Sequence, residues 1–190
     1  FLDSNPHKAR EAEERGFGVV FGNAIQERTL QRAGFESVEA AVGLTGNKTL
    51  NGVFVERARE LFGVPRALVA ATEIDGGLVA EMLERDEADV VFEGHHDLER
   101  WEARARSGDI EIVRFLYRPS EADQGGEDGP ARGTAGERFI VLAIERGGVT
   151  RPMSTRFVLK PGDWASVALH APERSEAVEA LTGLGWVPEP

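Results

Sequence analysis

The sequence predicts an α/β protein, with a parallel sheet and its covering helices in the first half and a small α+β domain in the second. Through residues 1–93, short apolar runs alternate with helical segments. The runs lack the apolar–polar alternation of half-exposed strands, which favours strands covered on both faces. After Glu93 the pattern changes. We therefore expect one domain over 1–95, a linking helix over 96–108 and a second domain over 109–190.

Apolar runs and helix signals define the elements of the first half. Helix starts are predicted where asparagine can cap, at Asn5 and at Asn47, and one helix end is predicted at Gly63. Apolar residues recur at helical spacing over 50–62, and a further helix is expected after Asp75. The predicted strands cover 1–2, 17–21, 38–44, 67–71 and 90–92.

The second half has its own pattern of strands and turns. A polar helix is predicted over 97–107 and a strand over 110–117. "RFIVLAIERGGVTRPM" predicts two strands around Gly147–Gly148, and "RFVLKPGDWASVALH" predicts two more around 161–163. A last helix is expected over about 173–181. Residues 118–137, which are rich in glycine, proline and acids, are expected to form a flexible loop.

Composition excludes several kinds of partner and chemistry. The formal net charge of the 190 residues is −11, and no basic stripe is present, which argues against nucleic acid as a direct partner. The chain has no cysteine, so disulfides and thiolate chemistry are excluded. No apolar run approaches the roughly 20 residues that span a bilayer.

Small and polar residues follow four of the predicted strands. In a parallel α/β sheet, ligands bind beyond the carboxyl ends of the strands. Each group alone could be an ordinary turn or helix cap. The recurrence of such groups at successive strand ends favours a ligand site. The four groups are Asp3-Ser4-Asn5, Gly22-Asn23-Ala24, Thr45-Gly46-Asn47 and Ala71-Thr72-Glu73.

The stretch "LDSNPHKAREAEERGFGVVFGNAIQERTLQRAGFESVEAAVGLTGNKTLNGVFVERARE" closely resembles the nucleotide-binding (RCK or TrkA-N) domain of the Trk/Ktr/Kef family. The resemblance covers residues 1–93. It is carried by the acid at a strand end, by the Gly-Asn-Ala group and by Thr-Gly-x₄-Asn. Residues 109–187 resemble the family's C-terminal companion domain, although the family's helix after the first strand of that domain is replaced here by the 119–137 tract.

The resemblance implies a Rossmann-like fold and a nucleotide site for NAD(H) or for AMP, ADP or ATP. Asp3 resembles the carboxylate that holds the ribose hydroxyls, which favours a ribose without a 2′-phosphate. Thr45 and Gly46 would line the middle of the nucleotide, and Asn51 matches an asparagine near it. The binding residues implied are Asp3, Ser4, Asn5, Gly22, Asn23, Ala24, Thr45, Gly46 and Asn51.

The family's glycine-rich turn, with its strand, does not occur in this sequence. In the usual strand order 3-2-1-4-5-6, that strand is the central one, and without it two half-sheets with open edges are expected. We therefore expect the chain to be an excerpt of a larger protein, or another chain to fill the gap. Nucleotide binding by this chain alone is expected to be weak or absent.

The function implied is that of a regulatory domain on the cytoplasmic side of the cell membrane. It would control a monovalent cation (Na⁺ or K⁺)/proton antiporter by a nucleotide-dependent change in a homodimer, with a transmembrane transport domain as its partner. "DLERWEARARSGDIEI" resembles antiporter tails. Two alternatives stay open: a Trk/Ktr-type potassium-uptake subunit or channel RCK domain, and an NAD-dependent oxidoreductase, for which no catalytic residues are identified.

Other groups favour structural roles. Glu93, His95, His96 and Asp97 lack regular metal-ligand spacing, and we interpret them as a linker or helix cap rather than a metal site. The chain has no Gly-x-Ser-x-Gly sequence. The three tryptophans are interpreted as packing or interface residues. Trp101 on the linking helix, together with Leu98, is predicted to pair with a second copy of the chain.

Overall fold

The computed structural model describes residues 1–70, 78–85, 87–92, 96–119 and 138–189. The chain forms two compact units. Described residues up to Asp89, except Ala70, form the first, and those from Val90 onward form the second together with Ala70.

The first unit contains short strands alternating with helices, as the sequence predicts. Strands β1 and β2 form one parallel pair, and β3, β4 and β5 form a separate sheet in that order, with β3 and β4 parallel. The strands are β1 (Leu2–Asp3), β2 (Val20–Phe21), β3 (Ala40–Gly43), β4 (Arg66–Val69) and β5 (Asp89–Val90). The helices are α1 (Pro6–Glu14), α2 (Glu27–Arg32), α3 (Lys48–Phe62) and α4 (Leu78–Glu84).

The helix ends in this unit follow the predicted signals. Asn5 caps α1, and its side chain accepts hydrogen bonds from His7 N and Lys8 N. Asn47 caps α3 by accepting from Leu50 N, and Gly63 ends α3 with a left-handed backbone conformation. The predicted caps at Asn5 and Asn47 and the predicted end at Gly63 are therefore confirmed.

The buried face of α3 joins the rest of the first unit in one hydrophobic core. Leu2, beside β2, packs against this core, as does Ala24 in the loop before α2. Both sheets therefore bury their side chains in the same cluster, although the described strands form no hydrogen-bonded pairs between the two sheets. The largest buried members are Leu30, Phe35, Phe54, Val55, Val69 and Met82.

The second unit is an antiparallel sheet with a helix on each of two faces. Its strand order is β10-β6-β9-β7-β8. The elements are α5 (Leu98–Ser107), β6 (Ile110–Tyr117), β7 (Phe139–Arg146), β8 (Val149–Pro152), β9 (Trp164–His170), α6 (Arg174–Gly183) and β10 (Trp186–Pro188). Ala177 and Leu181 of α6 pack with Phe115, Val167 and Trp186 in one core.

Trp101 lies on the opposite face of this sheet, and the structure contradicts its predicted role as a contact to a second copy. Its side chain is 6% exposed and packs against Ile140 and Ala168, which alternate along their strands with residues of the α6-side core. Arg104, one turn later on α5, covers the indole ring at 4.9 Å. Trp101 thus attaches α5 to its own sheet.

A second correction concerns residues 156–160, which the sequence predicts as a strand. The backbone there is irregular because side chains satisfy its polar groups. Arg146 Nη2 donates to Val158 O at 2.8 Å, and Lys160 N donates to Asp163 Oδ2 at 2.8 Å. Val158 is consequently left 73% exposed.

We predict that Trp101→Ala lowers the free energy of unfolding of the second unit by about 3–5 kcal/mol, because a large buried ring is replaced by a cavity. All three tryptophans lie in this unit, so tryptophan fluorescence during urea unfolding monitors it selectively. Ile112→Ala, at a side chain that is 59% exposed, is the control and should have little effect. A changed sedimentation coefficient with unchanged stability would restore the interface role.

Candidate functional site

The carboxyl ends of β1 and β2 bring the first two groups of predicted site residues together. The parallel register pairs Leu2 with Val20 and Asp3 with Phe21. Immediately beyond it, Gly22 N donates to Asp3 O at 3.0 Å. A carboxylate and a glycine backbone therefore lie side by side at this edge of the sheet, as the sequence predicts for adjacent strands.

The carboxylate of Asp3 is held in place from its own loop. Its Oδ1 accepts a hydrogen bond from Asn5 N at 2.8 Å, which fixes the side chain over the start of α1. A carboxylate can accept about four hydrogen bonds, so this contact leaves capacity for ribose hydroxyls. Ser4, between these two residues, is exposed. The side chain of Asn5 is committed to the α1 cap.

Gly22 is required by packing between a helix and a strand end. A Cβ at this position would lie 2.7 Å from Thr29 Cγ2 and 3.0 Å from Thr29 Oγ1. The glycine thus lets α2 approach the end of β2. Asn23 Oδ1 accepts from Ile25 N at 3.1 Å, which forms a local turn, and Ala24 packs on the core.

Thr45 and Asn51 form the third group, through a set of short hydrogen bonds. Asn51 Oδ1 accepts from Thr45 N at 3.0 Å and from Thr45 Oγ1 at 2.6 Å. Asn51 Nδ2 donates to Thr45 O at 2.8 Å. Asn51 is 1% exposed, whereas Thr45 and Gly46 are exposed in the loop that joins β3 to α3. The structure therefore joins two of the predicted site residues, Thr45 in the loop and Asn51 in α3, in one network.

Two positions that matter at these strand ends, Thr29 and Gly43, are absent from the predicted site. A Cβ on Gly43 would lie 2.9 Å from Asn51 Cβ and 3.0 Å from Asn51 Cα. The signal in the sequence is a glycine at a strand end followed by a helix start, which indicates close packing. Thr29 gives no comparable signal, because its contact with Gly22 depends on the tertiary structure.

Several sequence predictions fall on other parts of the chain. Ala71, Thr72 and Glu73 lie outside the described residues, as do Glu93 and His95. Asp97 accepts from Arg100 N at 3.0 Å and caps α5, as the helix-cap interpretation predicts. Within the described ranges, no group of three or more histidine, aspartate or glutamate side chains is arranged to hold a metal ion.

The second unit contains an ion pair between a buried aspartate, Asp163, and an exposed arginine, Arg146, which the sequence does not reveal. Asp163 is 1% exposed, and Arg146 donates to both of its oxygens from Nε and Nη2, at 2.6 Å each. Burial alone would raise the pKa of Asp163, but the Arg146 guanidinium and the Lys160 N–H together hold this pKa below its usual value. Phe157 packs against the guanidinium at 5.2 Å. The pair anchors the irregular 156–160 segment on β7.

The first unit belongs to the class of Rossmann-like α/β domains, in which the loops at the carboxyl ends of parallel strands form the ligand site. Residues 1–93 match the family model of the TrkA-N domain. No curated protein matches the chain.

The chain is also similar to solved structures of GsuK. The crystal structure of the GsuK RCK domain has 17% identity and a TM-score of 0.34, with 88% of this chain and 38% of that chain covered. The GsuK channel bound to NAD has 17% identity and a TM-score of 0.32, with 88% and 32% covered. The GsuK channel has 13% identity and a TM-score of 0.34, with 96% and 38% covered. The chain thus spans less than two fifths of each of these relatives.

We predict that Asp163→Asn lowers the free energy of unfolding of the second unit by about 1–3 kcal/mol at pH 7, the scale of charged hydrogen bonds. Because the folded pKa of Asp163 lies below the unfolded value of about 3.9, the wild-type pair stabilises the fold above that pH. Its contribution is lost as the pH falls through the folded pKa.

The measurement is urea unfolding, followed by tryptophan fluorescence, between pH 7 and about pH 2. The difference between wild type and Asp163→Asn should shrink as the pH falls. Glu179→Gln, at an exposed carboxylate, is the matched control. A difference that stays constant with pH would contradict the assignment of this titration to Asp163.

Proposed function

We propose that the chain is a nucleotide-sensing regulatory region of a monovalent cation transporter, and specifically of a cation/proton antiporter. The observation that carries this proposal is a carboxylate, Asp3, fixed beside Gly22 at the ends of two parallel strands in the part of the chain that matches the TrkA-N family model. The resemblance of 97–112 to antiporter tails supports the antiporter over a channel or a separate uptake subunit. Regulation would act on the cytoplasmic side of the membrane.

The residues at the strand ends fit an adenine nucleotide, NAD(H) or AMP, ADP or ATP. Asp3 would accept hydrogen bonds from the two ribose hydroxyls. Gly22, Asn23 and Ala24 would lie beside the adenine, and the 45–46 loop would line the middle of the nucleotide. A bound nucleotide would contact elements of both sheets of the first unit. Nucleotide binding would therefore change the conformation of this unit by drawing the two sheets into a fixed arrangement.

The sheet topology supports a further contribution from outside the described residues. The order β2-β1 followed by β3-β4-β5 corresponds to 3-2 and 4-5-6 of the doubly wound order 3-2-1-4-5-6. Among the described strands, β1 and β3 are each paired on one side only. We propose that the assembled protein supplies a strand and its glycine-rich turn between them, which would cradle the phosphates.

The transport function requires a membrane partner. Within the part of the chain that the structure describes, no helix is long and apolar enough to cross a bilayer. We propose that the transport domain belongs to the intact protein, that the regulatory region dimerises, and that nucleotide occupancy shifts the dimer between two arrangements. Transport by the intact protein in proteoliposomes should then change when NADH, NAD⁺ or ATP is added on the side of this region.

An NAD-dependent oxidoreductase is the competing enzyme function. The strand-end residues described here supply a carboxylate, amides and a threonine hydroxyl, and we assign none of them a catalytic role. Incubation of the intact protein with NADH and candidate carbonyl compounds should give no turnover. Measurable oxidation of NADH would overturn the regulatory assignment in favour of the enzyme.

We predict that Asp3→Ala in the intact protein weakens the binding of the nucleotide by about 1–3 kcal/mol, because charged hydrogen bonds to ribose are lost. Isothermal titration calorimetry with NAD⁺ and with ATP measures the change. Glu14→Ala removes the same charge from an exposed position in the same unit and is the matched control. Equal affinities of wild type and Asp3→Ala would refute the ribose contact.

We also predict that the wild-type protein prefers NADH to NADPH, since the 2′-phosphate would be repelled by the Asp3 carboxylate. Asp3→Asn should reduce this preference, because it removes the charge and keeps the side-chain shape. Competition titration with the two cofactors measures the ratio of affinities. Tighter binding of NADPH by the wild type would contradict the proposed placement of the ribose.

A further inference from the structure

The buried side chain of Asn51 holds the loop between β3 and α3, residues 44–47. Asn51 lies in the first turn of α3 and uses both atoms of its amide group on Thr45. The oxygen accepts from the backbone N–H and the hydroxyl of Thr45, and the nitrogen donates to the Thr45 carbonyl oxygen. One side chain thus fixes the backbone of a neighbouring residue on both sides of its Cα atom.

The polar groups of Thr45 are consequently directed toward α3. Its hydroxyl donates to Asn51 Oδ1 at 2.6 Å and accepts from Asn47 N at 3.2 Å. Its amide and carbonyl groups are engaged by the same asparagine. Gly46, the other loop residue predicted to line the nucleotide, is exposed as Thr45 is, and the hydrogen bonds described between the Asn51 side chain and the loop all go to Thr45.

We propose that Asn51 and Thr45 are positioning residues that set the shape of this loop and do not contact the nucleotide. This proposal rests on the nucleotide site proposed above. The contact would be made by the backbone at Gly46. The residue-type requirements follow from the geometry. An aspartate at 51 would place an oxygen against the Thr45 carbonyl oxygen, and an apolar residue would remove the hydrogen-bond partner of the Thr45 N–H, hydroxyl and carbonyl groups.

A glycine at position 43 leaves room for Asn51. A Cβ on Gly43 would lie 2.9 Å from Asn51 Cβ and 3.0 Å from Asn51 Cα, so a larger residue there would displace Asn51. The three hydrogen bonds to Thr45 orient the Asn51 amide before any ligand binds, which reduces the ordering cost of binding to the loop.

The experiment combines hydrogen–deuterium exchange with a double-mutant cycle, both carried out on the intact protein. Without nucleotide, Asn51→Ala should speed exchange of the Thr45 amide by about tenfold or more, while Val55 and Ala58 amides in α3 keep their protection. With NAD⁺, Asn51→Ala and Thr45→Val should each raise the dissociation constant by roughly tenfold. Thr45→Ser keeps the hydroxyl and should bind as the wild type does.

Because the two side chains act as one unit, the double variant should bind no more weakly than the weaker single variant. Additive losses would mean that each residue contacts the nucleotide, and would overturn the proposal. Unchanged Thr45 exchange in Asn51→Ala would overturn it too. Faster exchange of the Thr45 amide in Asn51→Ala with an unchanged affinity for NAD⁺ would show that the shape of the loop does not affect binding, and would also overturn the proposal. If Asn51→Ala does not fold, the comparison of Thr45→Val with Thr45→Ser replaces it, because Thr45 is exposed. Equal affinities of these two variants for NAD⁺ would then overturn the proposal.

Failure of the proposed function gives a different result. A wild-type protein that binds none of NAD⁺, NADH or ATP, yet shows the faster Thr45 exchange in Asn51→Ala, would refute the nucleotide site. The hydrogen-bonded control of the loop by Asn51 would be demonstrated independently.

Discussion

The close packing of a helix on the end of a strand, at Gly22 and again at Gly43, is the constraint on which the first unit depends. At both positions a Cβ atom would come within 3.0 Å of a residue on the following helix. Contacts of this kind fix where each helix starts and therefore where the preceding loop runs. The same glycines that bring α2 and α3 close to their strands also place the polar loop residues at the sheet edge.

The elements that the sequence predicts well are those whose signals are local. Asn5 and Asn47 are caps because their side chains meet backbone N–H groups two or three residues later, and Gly63 ends α3 because it adopts a left-handed conformation. The predicted strand over 156–160 is wrong because Arg146, at the end of β7, bonds the backbone of this segment. The predicted role of Trp101 at an interface is wrong because the sequence does not reveal which apolar surface covers an indole ring.

The candidate site likewise combines features that the sequence predicts with features that depend on the tertiary structure. The positions of Asp3, Gly22 and Thr45 at strand ends follow from the β-α alternation, and the adjacency of Asp3 and Gly22 follows from parallel pairing. The direction of each hydrogen bond does not. The family resemblance implies that Asn51 lies near the nucleotide, yet its amide is buried and turned toward Thr45. A polar side chain at a binding site can form hydrogen bonds with the ligand or with the backbone of a neighbouring loop. Only the contacts seen in the structure distinguish these two roles.

The described strands of the two sheets in the first unit are not hydrogen-bonded to each other, so the strand proposed to join them would complete both the sheet and the proposed nucleotide site. The strands of the β1-β2 pair and of the β3-β4-β5 sheet bury their side chains in one core, so packing within this core, and not hydrogen bonds between the described strands, holds the two groups together. One strand paired with both β1 and β3 would set them two strand spacings apart, about 10 Å. Asp3 and the Thr45 loop would then flank the turn of that strand, where doubly wound sheets bind their ligands. In the proposed site, the affinity for nucleotide should therefore depend on this pairing as much as on any residue that contacts the nucleotide.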